Sequence, residues 1–471
     1  MFYIMATQVK NSSIKTVNPF NNEIVKEFEA MSEGQVAKII DKADEAFKFW
    51  RNTSFEKRAE IIHKVASIMR NRKEELGKLA TLEMGKLLTE SIYEVELSAD
   101  IFDYYADKAS EFLADQPLDV KHGEAFLSYE PVGVILSVQP WNFPYYQITR
   151  SAAAHLMAGN TMVLKHASNV PQCAQIMEDI FKEAGLPDGV YTNLFVAGKD
   201  VESIVSNPKI AGVTLTGSKP AGASIAAAAG SQVKKSTLEL GGSDPFIVLD
   251  DANIDEAVKV AVAGRMWNAG QVCVSPKRVI VPSSKYDEFL TKTKDAFAKL
   301  KLGNPLDKDT TVAPLSSEKA AQDVVAQVQK AAAQGAHVIL GGKRVDRAGA
   351  FVEPTLITDI TPKIDAYYEE IFGPVFMLYK YDNIDEAIEI ANATEFGLGG
   401  TVFAKDTKKA VEVARKIDTG MVYINHVTGI APELPFGGAK NSGYGREQSP
   451  AGIYEFVNAK LIRTTTSDKN Y

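Results

Sequence analysis

Cysteine is the scarcest reactive residue in this chain of 471 residues; only Cys173 and Cys273 are present. They stand far apart with no CxxC pattern, which excludes a disulfide framework and a cysteine-rich zinc site and fits the reducing cytoplasm. Long apolar runs are also missing. None approaches the roughly 20 residues that cross a bilayer, so no transmembrane helix is expected. The opening MFYIMATQVKNSS lacks a basic leader followed by a long apolar stretch and does not read as a secretory signal, while Met5 behind Met1 leaves the start open. No basic stripe stands out and the net charge is −8, which argues against a nucleic-acid backbone as partner. Low-complexity tracts, Ser/Gly linkers and repeats of fixed period are absent. What remains is 45% hydrophobic and 24% charged, the balance of a folded, soluble protein, and at this length two large lobes are expected.

The first third reads as helical. Ser32 and Gln35 resemble a capping box ahead of Val36, Ile39, Ile40, Ala43, Phe47 and Trp50, one apolar stripe. A second run covers about Ser54 to Arg70 and a third about Lys73 to Phe112. From Val132 the pattern changes to short β-rich runs, VGVILSV, TMVLK, NLFV, GVTLT and TLEL, separated by helix-like segments. Such alternation predicts a parallel, doubly wound sheet. After Gly241 a second series, PFIVL, RVIV, HVIL, VFMLYKY, TVFA and MVYIN, predicts a second α/β lobe, with a tight boundary near Glu239 to Gly242. Leu118 to Tyr129 fits a hairpin. This segment and the tail around Phe456 to Thr465 would each expose a β edge unless something covers it.

The stretch GQVCVSPKR, Gly270 to Arg278, places a glycine that permits a sharp turn just before Cys273, so the thiol could face a cleft. A lone cysteine is more often a small buried apolar residue, and that reading stands beside the first. Glu239, in TLELGG, falls at the end of a predicted parallel strand, where ligands of open α/β sheets bind. It could activate water. It could equally be the acidic residue that binds a cofactor ribose about 20 positions after a first glycine, since 239 − 217 = 22 from Gly217. Asn142, in QPWNFP, could donate to an oxyanion or merely cap a turn. Gly217 to Gly222, GSKPAG, follows a strand and opens an alanine-rich helix whose backbone N–H groups could meet a pyrophosphate. Ala223 and Ser224 replace the Lys-Ser/Thr of a P-loop, which disfavours ATPase chemistry.

Taken together, PWNFP at 140–144, LKHAS at 164–168, TGSKPAG at 216–222, LELGGSDPFIV at 238–248, GQVC at 270–273, EEIFGPV at 369–375 and PFGGAKNSGYGRE at 435–447 resemble the aldehyde dehydrogenase superfamily, in the family order and over most of the chain. The resemblance implies two doubly wound α/β lobes and a β oligomerisation arm. Residues 1–115 and 131–239 would bind cofactor, 240–445 would form the catalytic domain, and 116–130 with 446–471 would form the arm and tail. It implies that Cys273 attacks the aldehyde carbon, that Asn142 and the Cys273 N–H hold the oxyanion, and that Glu239 is the general base that releases the acid. Lys165 and Glu370 match ribose contacts and Phe372 an aromatic beside the nicotinamide. Trp141, Gly217, Ser218, Gly222 and Leu240 complete the expected cofactor site, and Lys165 also falls in the catalytic set. No metal is implied.

Ser168 stands where many NAD-preferring members carry a glutamate that would repel a 2′-phosphate, and Lys219 lies in the adjacent turn. NADP is therefore the expected cofactor, with NAD possible. Within the superfamily the chain resembles succinate semialdehyde dehydrogenases, and Arg150 matches an arginine that contacts the substrate carboxylate. Trp267 stands where some of those enzymes carry a second arginine; with Tyr145 or Tyr146 it could line a pocket for an apolar or aromatic aldehyde. A CoA-acylating relative and a structural or binding protein on this fold are the rival classes. A cysteine hydrolase would need a histidine base, and none of the six histidines lies in a matching motif. The expected assembly is a cytoplasmic homodimer or homotetramer that takes a small aldehyde.

Overall fold

The computed structural model describes residues 13–465; the leader reading and the end of the tail lie outside this range. The first described element is an antiparallel hairpin, Ser13–Asn18 with Glu23–Glu29, where sequence periodicity gave no strand. Four helices follow. Ser32 and Gln35 form the expected capping box of Glu33–Trp50, whose buried stripe is Val36, Ile40, Ala43, Ala46 and Trp50; Ile39 and Phe47 sit at its margin. Ser54 caps Phe55–Asn71. The single helical run expected over Lys73 to Phe112 is two helices, Lys73–Met84 and Leu88–Phe112. Gly85 separates them: at φ +86° it takes the left-handed conformation that ends a helix.

A six-stranded sheet has the order Gly443–Tyr444, Lys235–Glu239, Ile210–Thr216, Val134–Gln139, Thr161–His166, Tyr191–Asn193. All neighbours pair in parallel except Gly443–Tyr444, an antiparallel edge that the sequence did not suggest. The chain starts at Val134–Gln139, winds outward one way to Tyr191–Asn193, then returns to Ile210–Thr216 and winds the other way. The strand order thus reverses between Val134–Gln139 and Ile210–Thr216, and a crevice opens beyond their carboxyl ends.

The second sheet has seven strands, ordered His337–Leu340, Thr355–Thr358, Val375–Tyr381, Arg278–Pro282, Pro245–Val248, Thr401–Phe403, Tyr423–Ile424. It is parallel except for His337–Leu340, which runs antiparallel to Thr355–Thr358, a strand the sequence reading missed. A third sheet joins Gln116–Leu118, Glu124–Pro131 and Val457–Thr464. The tail strand therefore covers the hairpin, and its Leu461 and Ile462, on opposite faces, are both exposed. No helix among the described residues is long and apolar enough to cross a membrane.

Candidate active site

Two kinds of loop meet in the crevice. The six-stranded sheet contributes segments that follow its strands: Pro140 to Asn142, Gly217 and Ser218, Leu240 and Gly241. The seven-stranded sheet contributes segments that precede its strands, with Cys273 before Arg278–Pro282 and Glu370 to Phe372 before Val375–Tyr381. Together they line a cavity of roughly 270 Å³ containing Trp141, Asn142, Gln147, Thr216, Gly217, Ser218, Leu240, Gly241, Cys273, Glu370 and Phe372.

The Cys273 loop is held from behind. Gly270 has φ +76°, and an added Cβ would lie 2.1 Å from the Gly373 carbonyl oxygen, so only glycine fits the turn. Arg265, wholly buried, donates to the carbonyl oxygens of Val375 (2.7 Å), Gly270 (3.0 Å) and Ile371 (2.7 Å) and to Ser275 Oγ (2.7 Å). One guanidinium thus ties the Cys273 loop to the Glu370 loop. The Cys273 N–H donates to no described residue.

Asn142 is oriented on three sides. Its Nδ2 donates to the Gln271 carbonyl (3.1 Å), Gln147 Nε2 donates to its Oδ1 (3.2 Å), and Lys86 Nζ and Asn268 Nδ2 donate to its carbonyl at 3.1 and 2.9 Å. One amide N–H remains uncommitted, on a residue that lines the cavity with Cys273. The helix behind it, Pro144–Ala158, starts on a carboxylate: Glu94 Oε1 accepts from the N–H groups of Tyr145 (2.7 Å) and Tyr146 (3.0 Å) and Glu94 pairs with Lys86. Asn142 therefore does not serve as the helix cap.

Burial dominates the protonation states. It pushes the Cys273 thiol up to about 12; Lys277 and then Arg150 oppose the rise, while Glu370 and Asp244 add to it. Burial also holds the Glu239 carboxyl well above the usual carboxylate range, with Arg150 opposing and Glu447 reinforcing. Both Glu239 oxygens lack a hydrogen-bond partner. Burial thus favours the protonated form of both groups.

Several expected residues lie outside the cavity. Glu239 is buried behind it, beside Gly437. Arg150, also buried, pairs through Nε with Glu447, donates from Nη2 to Thr216 Oγ1 (2.6 Å) and lies over the Tyr146 ring at 5.2 Å. Lys165 is half-buried, with its pKa lowered by burial, and Ser168 is exposed just beyond the same strand. Lys219 pairs with Glu395 on the surface. Gly222 packs beneath Leu240, whose side chain an added Cβ would meet at 2.6 Å, so this glycine serves close helix–strand contact. His166 is a structural residue held by the carbonyls of Gln139 and Pro144, and Cys173 is fully buried.

Trp267 lines a second opening of roughly 410 Å³ with Glu90, Tyr93, His426, Thr428 and Ile430, among others. Its ring meets Phe143 at 5.2 Å and Tyr93 at 6.3 Å, edge to face. Sequence reasoning missed Arg265, Lys277, Gln147 and Glu447. Arg265 and Glu447 act through contacts distant in the chain, whereas Gln147 and Lys277 lie within five residues of the groups they hold, in stretches whose pattern singles out neither.

The aldehyde dehydrogenase family model matches residues 4–462. The NADP⁺-dependent succinate-semialdehyde dehydrogenase of Deinococcus radiodurans is 48% identical over 448 residues, 95% of this chain and 94% of that one. Succinate-semialdehyde dehydrogenase [NADP⁺] 1 of Mycobacterium tuberculosis is 47% identical, over 95% of this chain and 99% of its own length. The crystal structure of succinic semialdehyde dehydrogenase from Streptococcus pyogenes in complex with NADP⁺ superposes with a TM-score of 0.95 at 46% identity, covering 96% of this chain and 100% of that one.

Proposed function

Because the chain belongs to the aldehyde dehydrogenase family, we propose that it oxidises succinate semialdehyde to succinate with NADP⁺ as hydride acceptor. The observation that carries this reading is the cavity at the strand-order reversal, where Cys273, Asn142, Glu370 and Phe372 meet. The residues present fit a dinucleotide. Glu370 Oε1 is already bonded to Lys277 and Gly242, which leaves Oε2 beside Gly241, where an added Cβ would lie 2.3 Å from it. Trp141 and Phe372, edge to face at 5.9 Å, wall the same cavity. Glu370 and Lys165 would hold ribose hydroxyls, with Gly217, Ser218, Gly222 and Leu240 shaping the turn below them. Ser168 would leave room for a 2′-phosphate, and Lys219 would supply positive charge by exchanging Glu395 for it.

Cys273 releases its thiol proton to solvent water and its sulfur bonds to the aldehyde carbon, moving the carbonyl electron pair onto oxygen. The second N–H of Asn142 and the Cys273 N–H hold that oxyanion; losing one such donor typically reduces turnover by about 10² to 10³. When bound, NADP⁺ accepts the hydride from that carbon. The resulting Cys273 thioester is then attacked by a water that Glu239 deprotonates, the C–S bond breaks, and sulfur regains a proton. The Arg150 guanidinium, with Tyr146 beneath it, would meet the substrate carboxylate.

The test is NADPH formation from succinic semialdehyde, butanal and benzaldehyde, with NAD⁺ in parallel and Cys273→Ala as control. Succinic semialdehyde with NADP⁺ should lead in kcat/KM, and an undiminished Cys273→Ala would refute the mechanism. The aromatic wall formed by Trp267, Phe143 and Tyr93 favours a second reading, an apolar or aromatic aldehyde, which a lead by benzaldehyde would establish. Residues 1–115 and 131–239 form the cofactor domain in this proposal and 240–445 the catalytic domain. The exposed Leu461 and Ile462 on the arm support pairing with further copies as a homodimer or homotetramer in the cytoplasm, testable by light scattering.

A further inference from the structure

Lys277 is wholly buried, and its ammonium lies where the nucleophile loop meets the cofactor carboxylate. It donates to the carbonyl oxygens of Val272 (2.8 Å) and Cys273 (2.7 Å) and faces Glu370 Oε1 at 3.1 Å. The first two are hydrogen bonds and the third is an ion pair. Glu370 Oε1 accepts in addition from the Gly242 N–H at 3.2 Å, so the carboxylate is fixed from two directions. Burying an ammonium is unfavourable, and an apolar side chain of similar length often serves packing as well. A charge kept here points to a use for the charge.

We propose that Lys277 is a positioning residue that couples nucleophile to cofactor: it fixes the Cys273 peptide, supplies positive charge to the thiolate, and aims Glu370 Oε2 at the ribose. The part concerning Glu370 rests on the ribose contact proposed above; the part concerning Cys273 does not. The charged groups facing Cys273 are Lys277 on its own loop, Arg150 on the helix Pro144–Ala158, Glu370 on the loop before Val375–Tyr381, and Asp244 at the start of the second lobe; Tyr146 stands beside Arg150. Burial raises the thiol, and among the charges Lys277 opposes that rise most and Glu370 adds to it most.

Removing the two charges should therefore shift Cys273 in opposite directions, which general loosening of the site would not do. The measurement is iodoacetamide modification of Cys273 in the full-length enzyme without cofactor, followed across pH by peptide mass. Lys277→Met should move the profile up by about one unit and slow modification near neutral pH about tenfold. Glu370→Gln should move it down, and Lys277→Arg should keep it close to the parent's. Should Lys277→Met fail to fold, Lys277→Gln takes its place with the same expected direction. A lysine variant with the parent's profile, or shifts of the same sign in the Lys277 and Glu370 variants, overturns the proposal. NADP⁺ affinity, read by quenching of protein fluorescence, separates the two parts. Lys277→Met and Glu370→Gln should each weaken it by about 10-fold or more, and the double variant should be no weaker than Glu370→Gln alone. Additive losses overturn the coupling through Glu370. Unchanged affinity in Glu370→Gln overturns the ribose contact while leaving the opposite thiol shifts standing.

Discussion

Replacing Glu239 by glutamine changes one proton site and almost no volume, so its effects separate the two halves of the reaction. The carboxyl is buried, both oxygens lack partners, and Gly437 approaches so closely that an added Cβ there would lie 2.9 Å from Oε1. The amide fits that space but takes no proton from water. Acylation of Cys273 and hydride transfer should survive, giving about one NADPH per Cys273, while later turnovers slow by about 10² to 10⁴, the usual worth of a positioned base. The stability of the variant carries a second signature. Burial holds the folded Glu239 carboxyl above its unfolded value, so the folded state binds this proton more tightly. The associated stability is complete below the unfolded pKa and is lost as pH rises through the folded one. Glu239→Gln lacks that loss, and between about pH 4 and about pH 7, the range that opens at the unfolded carboxyl value, its Tm should fall less than the parent's. Rapid-mixing absorbance at the NADPH band reads the first turnover, and thermal unfolding at the two pH values reads the second effect. Undiminished steady-state hydrolysis would refute the assignment of the base, and an identical loss of Tm would refute the electrostatic argument.

Glu447→Gln removes the buried partner of Arg150 and should lower stability by about 3 kcal/mol or more, because it leaves a guanidinium unbalanced; Arg150→Met with Glu447→Met should lose less than the sum of the single changes, as unfolding curves would show. Gly270→Ala forces a Cβ toward the Gly373 carbonyl in a left-handed turn, so activity should fall more than tenfold with a loss of about 1–3 kcal/mol in unfolding free energy, whereas unchanged kcat would refute the turn argument. Ser168→Glu should reduce kcat/KM with NADP⁺ by about 10² or more and leave NAD⁺ much less affected, by like-charge repulsion at a 2′-phosphate. Equal losses with both cofactors would place the residue elsewhere.

The alternation of strands and helices after Val132 was legible because side-chain period and glycine punctuation are local properties. So was the capping box at Ser32. Reading one helix over Lys73 to Phe112 failed because Gly85 ends a helix only when the chain around it turns away, a tertiary matter. The hairpin at Ser13–Asn18 and the edge strand Gly443–Tyr444 were hidden for the same reason: their partners, not their residues, make them strands. Ordered motifs located Cys273, Asn142, Glu370 and Phe372, and the structure brings those four to one cavity. They also named Glu239, Arg150, Lys165, Ser168, Lys219, Tyr146 and Trp267, which the structure distributes behind, beside and opposite it.

The sequence alone therefore determined the architecture class and the family and singled out Cys273 as the candidate thiol, since each is written in residue order and local pattern. Tertiary structure decided the state of that thiol. Whether Lys277 meets Glu370, whether Arg150 is free or balanced by Glu447, and whether Glu239 is wet or dry are questions of burial and of contacts between segments far apart in the chain. Charge energies depend on those distances and on the surrounding dielectric, which no local pattern encodes.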